Sequence, residues 1–352
     1  MTRPCGKFRW RRWFWLGLVG VLLLGWATWS WWGEYHPEQE RDLRVRVQDQ
    51  LQEWFPEQMA LSEDRYGFLP RTPQAAETGR PDVVLLHGLD EPGDIWDDLV
   101  GVLAEAGWVA WEFRYPNDQA IDASADFLAE AWLELPADRP VVLIGHSMGG
   151  LVARDFVGRW RHPVDVEPKV AGAPVCGVIL VGTPNHGSEW ARLRVWLELR
   201  DFFAAASQRQ LALFHGLRDG TGAAKIDLRP GSAFLTGLNA RAWPAEVPVR
   251  IIGGQLAEPT PRMRQSIEAI SAETGTNEMT VALEAWWTTL GEGLGDGVVP
   301  VHSLAVTSAP PPTIVAASHR GLVAGTPLSG EQPPAIPIIR EILERWLDRQ
   351  DQ

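Results

Sequence analysis

Residues 141–150 read VVLIGHSMGG, and the fold can be worked out from this stretch. The apolar run at 141–144 predicts a buried strand, and the apolar residues after Gly150 are spaced as in a helix. Between them lies the pattern G-x-S-x-G, which in the order strand, tight turn, helix is typical of a turn that presents a nucleophilic serine. Glycines at 145 and 149 leave room for the turn. Ser147 stands at the start of the helix, where developing negative charge is stabilised.

Five further apolar runs resemble the one at 141–144. They lie at 83–86, 108–113, 178–181, 249–252 and 314–317. Runs this short and rich in Val and Ile are typical of strands buried on both faces of a parallel sheet. Helically spaced apolar residues at 95–106, 121–135 and 337–347 alternate with these runs. The sequence therefore predicts an α/β fold whose mostly parallel sheet is flanked by helices, with functional residues just after the strands.

The loop after the 83–86 run reads HGLD. An enzyme that attacks an acyl carbonyl through a serine must bind the resulting oxyanion with two preorganised N–H groups. The residue after the nucleophile, Met148, supplies one of them. The His87-Gly88 pair lets the backbone of this loop fold back toward the serine, so we assign the second N–H to Leu89.

A serine on such a turn needs a histidine as its base, and along the chain an acid and then that histidine follow the serine. His319, in SHRGL at 318–322, follows the last predicted strand and is the last of eight histidines. It is therefore the predicted base. His186 also follows a predicted strand and is a weaker candidate, whereas His302 is predicted to be a loop residue.

The acid is predicted to be Asp296, in GDGVVP at 295–300. Glycines on both sides give a tight loop that can present a carboxylate to His319, hold the imidazole tautomer and stabilise the imidazolium. Glu258, which lies closer behind the 249–252 run, remains the alternative.

Charge and cysteine content exclude several classes of function. The chain carries 32 basic and 45 acidic residues, and five of the basic residues lie before residue 34 with no acid among them. The rest therefore has 32 − 5 = 27 basic residues against 45 acidic ones, a net charge of −18 that would repel nucleic acid. Two cysteines are too few for a structural zinc site or a disulfide framework. Cys176 is predicted to be a small core residue.

Residues 13–32 form a run of twenty residues without a charge, with tryptophans at both ends. A helix of this length spans ~30 Å, the hydrocarbon thickness of a bilayer. Because basic residues precede the run, we expect a transmembrane anchor with a cytoplasmic N-terminus and a catalytic domain on the extracytoplasmic (periplasmic) side. A cleaved signal peptide, which would give a secreted protein, is the alternative.

Taken together, these motifs resemble the bacterial lipase and esterase branch of the α/β-hydrolases, including its lipid deacylases. The matching pieces, in order, are HGL at 87–89, GHSMGG at 145–150, GTPNHGS at 182–188, PGSAFLTGLN at 230–239, GDGVVP at 295–300 and SHRGL at 318–322. The resemblance implies an α/β-hydrolase fold with a helical cap or lid insertion, placed here at 188–246. It implies no cofactor, and although several bacterial lipases bind calcium, no acidic cluster here favours a metal.

Three segments are expected from these patterns. Residues 1–33 would be the membrane anchor, 34–80 a polar spacer with a helix around 38–55, and 81–352 the α/β-hydrolase domain. The expected activity is hydrolysis of an apolar ester at a membrane surface, through an acyl group on Ser147. Transfer of the acyl group to a lipid or alcohol is an alternative, and an anchored binding domain without catalysis is another. The expected partners are an ester or lipid substrate and the membrane, and no protein partner can be inferred.

Overall fold

The computed structural model describes residues 7–75, 79–89, 91, 93–190, 218–256, 293–307, 309–325 and 332–347. Within them, seven strands form one sheet in the order β1-β3-β2-β4-β5-β6-β7. The strands are β1 (Gly67–Pro70), β2 (Val83–Leu86), β3 (Ala110–Arg114), β4 (Val141–His146), β5 (Val175–Val181), β6 (Val249–Gln255) and β7 (Thr313–Ala316). Every neighbouring pair is parallel except β1 with β3. The predicted parallel sheet is confirmed, and the six apolar runs form β2 to β7.

Nine α-helices are described. They are α1 (Lys7–Tyr35), α2 (Pro37–Trp54), α3 (Pro56–Met59), α4 (Asp97–Glu105), α5 (Ile121–Ala131), α6 (Met148–Phe156), α7 (Ala223–Asp227), α8 (Ala233–Ala240) and α9 (Ala335–Leu347). Short 3₁₀ turns lie at Gly93–Trp96, Trp132–Glu134, Val301–Leu304 and Arg320–Leu322, and a π-helical turn at Val157–Arg161 continues α6. The helices cover both faces of the sheet, which explains why its central strands β2, β4 and β5 are almost wholly buried.

Strand β2 shows how the two faces are filled. Its alternate residues Val84 and Leu86 pack in an apolar cluster with residues of α5 and α6. Val83 and Leu85 point the other way and pack in a second cluster with residues of α4 and α9. All four side chains are fully buried, so neither face of this central strand tolerates a polar residue.

The run at 13–32 lies within helix α1, but no helix of the described residues is long and apolar enough to cross a membrane. The predicted transmembrane anchor is therefore not supported. Six of the twenty residues in the run are tryptophan and three are glycine. Indole rings favour the membrane–water interface over the hydrocarbon. A run that lacks charges but is rich in tryptophan is therefore less apolar than an aliphatic run of the same length.

The described part of the range 34–80 belongs to the folded body and is more than the predicted spacer. Strand β1 forms the edge of the sheet, antiparallel to β3. Helix α2 matches the helix predicted around 38–55. Its own residue Arg41 binds it to the rest of the folded body. The guanidinium of Arg41 donates to Asp122 at 2.8 Å and to the fully buried carboxylate of Asp227. Strand β1 has only four residues, with a glycine at one end and a proline at the other, so it shows no alternation of apolar and polar residues. It could therefore not be predicted from the sequence.

Much of the predicted cap at 188–246 lies outside the described residues, namely 191–217. The described remainder contains α7 and α8. Phe234, Leu235 and Leu238 of α8 belong to the same apolar cluster as residues of α5 and α6. The Ser232 hydroxyl caps α8 by accepting the N–H of Leu235. This end of the insertion is thus part of the core.

Replacing Arg41 with Ala should destabilise the protein, because it leaves the buried Asp227 carboxylate without its counter-charge. Breaking a buried ion pair costs about 3–5 kcal/mol, and we expect a loss of ~3 kcal/mol in the free energy of unfolding above about pH 7. Burial raises the pKa of Asp227 to about 6 even beside Arg41. A protonated Asp227 has no charge to leave unpaired, so the loss should shrink below about pH 5.

Urea unfolding at the two pH values measures this loss. Arg46→Ala, on the exposed side of the same helix, is the matched control. Equal losses for the two variants would show that the contact between Arg41 and Asp227 does not hold helix α2.

Candidate functional site

Ser147 lies between β4 and α6, on a turn with an unusual backbone. Its φ is 53° and its ψ is −125°, a conformation that residues with a side chain rarely adopt. Two hydrogen bonds fix the turn: the N–H of Ser147 donates to Val181 O of the neighbouring strand at 2.9 Å, and the N–H of Gly150 donates to Ser147 O at 3.1 Å. The turn therefore places the serine side chain beyond the carboxyl ends of the strands, as the sequence predicts.

The two glycines of the motif are required by close backbone contacts. A Cβ on Gly145 would lie 2.4 Å from the backbone nitrogen of Gly150. A Cβ on Gly149 would lie 2.1 Å from the carbonyl oxygen of Leu86, at the end of β2. The first contact keeps the turn tight, and the second lets helix α6 approach the strand that carries the HGL loop.

His319 and Asp296 form the hydrogen-bonded pair that the sequence predicts. The Nδ1–H of His319 donates to Asp296 Oδ2 at 2.7 Å, and the N–H of His319 donates to the carbonyl oxygen of Asp296 at 2.9 Å. The other carboxylate oxygen of Asp296 accepts the N–H groups of Val298 and Val299 at 2.9 and 2.7 Å. The Asp296 side chain is fully buried, so its charge is held by directed hydrogen bonds and not by water.

Gly182 shows that the serine turn and the histidine lie side by side. It follows Val181, whose carbonyl oxygen accepts the Ser147 N–H. A Cβ on Gly182 would lie 3.2 Å from the His319 ring. The ring of His146, the residue before Ser147, also lies 4.7 Å from that of His319, centre to centre. The structure thus brings Ser147, His319 and Asp296 to one edge of the sheet.

The HGL loop after β2 packs directly on the serine, because a Cβ on Gly88 would lie 2.8 Å from Ser147 Cβ. The ring of His87 stacks on Tyr115 at 4.3 Å, and the Tyr115 hydroxyl donates to the His87 carbonyl. Burial lowers the pKa of His87, which keeps the ring neutral. His87 is therefore a support for the loop.

The N–H of Gly88 is already used, because it donates to Glu91 Oε2 at 2.7 Å. Leu89 is the next residue of this loop, and Met148 is the first residue of α6, where backbone N–H groups have no partner within the helix. These are the two positions to which the sequence assigns the oxyanion-binding N–H groups.

Glu91 and His146 were not singled out from the sequence, yet they join the site. His146 Nδ1 lies 2.7 Å from Glu91 Oε2, and His146 Nε2 lies 3.1 Å from the carbonyl oxygen of His319. The only signals in the sequence were the variable position within G-x-S-x-G and an acid two residues after HGL. Neither pattern predicts that the two side chains meet.

The weaker candidates lie elsewhere or outside the described residues. His186 follows β5, where its N–H donates to Ser303 O, and no carboxylate of the described residues pairs with its ring. His302 lies in the 3₁₀ turn at Val301–Leu304. Glu258, the rival acid, lies outside the described residues. Cys176, predicted to be a small core residue, is partly buried and packs against the apolar cluster of α4 and α9.

Glu91, His146 and His319 are the one group in the described part of the chain with three ligand atoms close enough to bind a metal, all within 4.8 Å of one another. Glu91 Oε2 and His146 Nδ1 already bind each other, and His319 Nδ1 binds Asp296. The cluster is thus a hydrogen-bonded network, and a metal would have to displace it.

Comparison with known proteins identifies a family. Residues 83–290, more than half of the chain, match the model of the alpha/beta hydrolase family. A sequence search among curated proteins finds no match.

Several solved structures are similar to this chain at low sequence identity. Staphylococcus hyicus lipase is 12% identical, with a TM-score of 0.50 over 80% of this chain and 99% of that chain. The mature form of Bacillus licheniformis lipase BlEst2 is 16% identical, with a TM-score of 0.48 over 78% and 97% of the two chains. Phospholipase PlaB from Legionella pneumophila is 16% identical, with a TM-score of 0.49 over 76% and 60%. At these identities the likeness concerns the fold alone.

Replacing Gly149 with Ala should distort the serine turn, because the added Cβ meets the backbone of β2. Overpacking of this kind costs about 1–3 kcal/mol in the free energy of unfolding. Gly158→Ala is the matched control, since a Cβ there meets nothing within 4 Å and alanine favours a helix by up to ~1 kcal/mol. Urea unfolding of both variants checks this, and a Gly149→Ala protein as stable as the control would contradict the packing described.

Proposed function

Because the chain belongs to the α/β-hydrolase family, we propose that it is a serine hydrolase that cleaves a carboxylic ester through Ser147. The observation that carries the proposal is the 2.7 Å hydrogen bond between His319 and the buried Asp296, beside a serine on a strained turn. A nucleophile, a base and a residue that orients the base are the parts that acyl transfer through a serine requires.

In the proposed reaction, Ser147 Oγ forms a bond to the acyl carbon while its proton passes to Nε2 of His319. The carbonyl oxygen becomes an oxyanion. When it re-forms the carbonyl, the bond to the leaving alcohol breaks and the alcohol takes the proton from His319. Water then attacks the acyl group on Ser147, giving its proton to His319, and the acid leaves as Ser147 regains a proton.

Asp296 would set the proton position on His319. By accepting Nδ1–H, it leaves the lone pair of Nε2 for the serine proton. When His319 becomes an imidazolium, the same carboxylate stabilises the new charge. The two N–H groups that Asp296 accepts from Val298 and Val299 keep the carboxylate in place.

The oxyanion would be held by the N–H groups of Leu89 and Met148. The structure supports this assignment, because Glu91 occupies the N–H of Gly88 and leaves Leu89 as the next donor of the loop beside Ser147. Met148 begins a helix, so the partial positive charge of the helix start acts in the same direction as its N–H.

We propose an apolar ester, presented at a lipid surface, as the substrate class. The support is the sequence resemblance to lipases together with the exposed apolar side chains of helix α1. Trp13, Phe14, Trp31 and Tyr35 each expose more than three fifths of their surface. Tryptophan and tyrosine favour the membrane interface, so this helix would bring the site to aggregated substrate.

A chain-length series of nitrophenyl esters tests the activity, in solution and in lipid vesicles. We expect turnover to rise with acyl length and to be greater on vesicle-bound ester. Ser147→Ala should lower kcat by about 10⁶-fold, because members of a catalytic triad act as a unit. An added alcohol distinguishes hydrolysis from acyl transfer, since a transferase would form a new ester. Unchanged turnover in Ser147→Ala would remove the serine from the mechanism.

Replacing Asp296 with Asn tests the acid. The amide can donate to Nδ1 and so favours the wrong tautomer of His319, which should lower kcat by ~10⁴-fold. Glu258→Gln, the rival position, should stay within about tenfold, as expected where no transition-state contact is lost. Steady-state kinetics rank the two variants, and the reverse ranking would make Glu258 the acid.

A further inference from the structure

The partly buried side chain of Glu91 and the fully buried side chain of His146 link three loops of the site. Glu91 Oε2 accepts the N–H of Gly88 at 2.7 Å in the HGL loop. The same oxygen lies 2.7 Å from Nδ1 of His146, the residue before Ser147. The other ring nitrogen of His146 lies 3.1 Å from the carbonyl oxygen of His319. One hydrogen-bonded chain thus joins the HGL loop, the serine turn and the histidine loop.

The contacts of His146 determine its protonation state. Both of its ring nitrogens face acceptors, a carboxylate on one side and a carbonyl oxygen on the other. A neutral imidazole has one N–H and can serve only one acceptor, whereas an imidazolium serves both. The ring is fully buried, so a ring nitrogen without a hydrogen would face an acceptor with no donor between them. An imidazolium paired with the Glu91 carboxylate therefore satisfies more of these contacts than a neutral ring does.

The charges around the pair favour the same state. Burial alone would lower the pKa of His146, but the Glu91 carboxylate, the His319 carbonyl and the more distant Asp296 together raise it above its ordinary value. Burial would likewise raise the pKa of Glu91, but His146, His319 and the Gly88 N–H lower it. The Trp96 ring, which lies perpendicular to that of His146 with the ring centres 6.3 Å apart, carries no charge.

We propose that Glu91 and His146 are positioning residues, which act as an ion pair to fix the HGL loop and the His319 loop relative to Ser147. The inference rests on the proposed function of Ser147, because it assigns the pair a role in the same reaction. Without the pair, Gly88 and the His319 carbonyl lose the groups that hold them. The donor at Leu89 and the base His319 could then shift independently of the serine.

Such a shift acts on the chemical step and not on substrate binding. A displacement of about 1 Å in a catalytic group can cost ~10²-fold in rate. We expect Glu91→Ala to lower kcat ~10- to 100-fold and to leave KM within about threefold. Glu105→Ala, an exposed glutamate at the end of α4, is the matched control and should match the wild type.

Glu91→Gln distinguishes the charge from the hydrogen bonds. Its amide oxygen can still accept from Gly88 and from Nδ1–H of His146, but the counter-charge is gone, so His146 loses its second proton at a lower pH. The ratio of variant to wild-type kcat should therefore rise as pH falls and restores the imidazolium. A residue that only fills space would give a ratio independent of pH.

A spectroscopic readout is independent of activity. In full-length protein with ¹⁵N-labelled histidine, His146 should show two protonated ring nitrogens at neutral pH, and in Glu91→Gln only one. The double variant Glu91→Ala/His146→Ala should lose about as much kcat as the worse single variant, because the two residues act as one unit.

Three outcomes would overturn the inference: a neutral His146 ring in the wild type, kcat of Glu91→Ala within twofold of the wild type, or losses that multiply in the double variant. If Glu91→Ala does not fold, the nitrogen spectra and Glu91→Gln still decide. Failure of the proposed function is distinct, because a fluorophosphonate probe would then leave wild-type Ser147 unlabelled while the His146 spectrum stayed unchanged.

Discussion

The backbone of Ser147, with φ 53° and ψ −125°, is the constraint on which the rest of the site depends. Such a conformation costs about 1–3 kcal/mol and persists only where the surroundings enforce it. Here the hydrogen bond to Val181 ties the turn to β5, and the close approach of Gly149 ties it to β2. The two strands on either side of β4 thus hold the turn, and the loops that follow them supply the neighbours of the serine.

A fully buried carboxylate and a partly buried one organise the two histidines nearest the serine. Asp296 binds the ring of His319, and Glu91 binds the ring of His146. Asp296 also accepts two backbone N–H groups and Glu91 accepts one, which helps to fix each carboxylate. The two rings have different partners: Nδ1 of His319 binds Asp296, whereas both ring nitrogens of His146 lie against acceptors. The proposed base and the proposed cation would then lie 4.7 Å apart, ring centre to ring centre.

The parallel sheet and the meeting of Ser147, Asp296 and His319 could be predicted from the sequence. Short apolar runs and glycine-flanked polar residues are local patterns, which can be recognised without knowing how distant parts of the chain meet. The sequence could not predict the edge strand Gly67–Pro70, which pairs with β3 through backbone groups and has no pattern of its own. The contact of Glu91 with His146 spans 55 residues and depends on how two loops meet. The expected membrane span rested on the absence of charge at 13–32, although tryptophan and glycine make that run less apolar than an aliphatic one.

An acyl group on Ser147 is the intermediate through which the proposed chemistry must pass, and intact-protein mass spectrometry detects it directly. Full-length protein mixed with a nitrophenyl ester and quenched in acid during the first turnover should gain the mass of one acyl group. Peptide mapping should place that mass on Ser147, and it should disappear as the ester is consumed. Continued ester hydrolysis with no acyl group on the protein, or with the acyl group on another residue, would contradict the account.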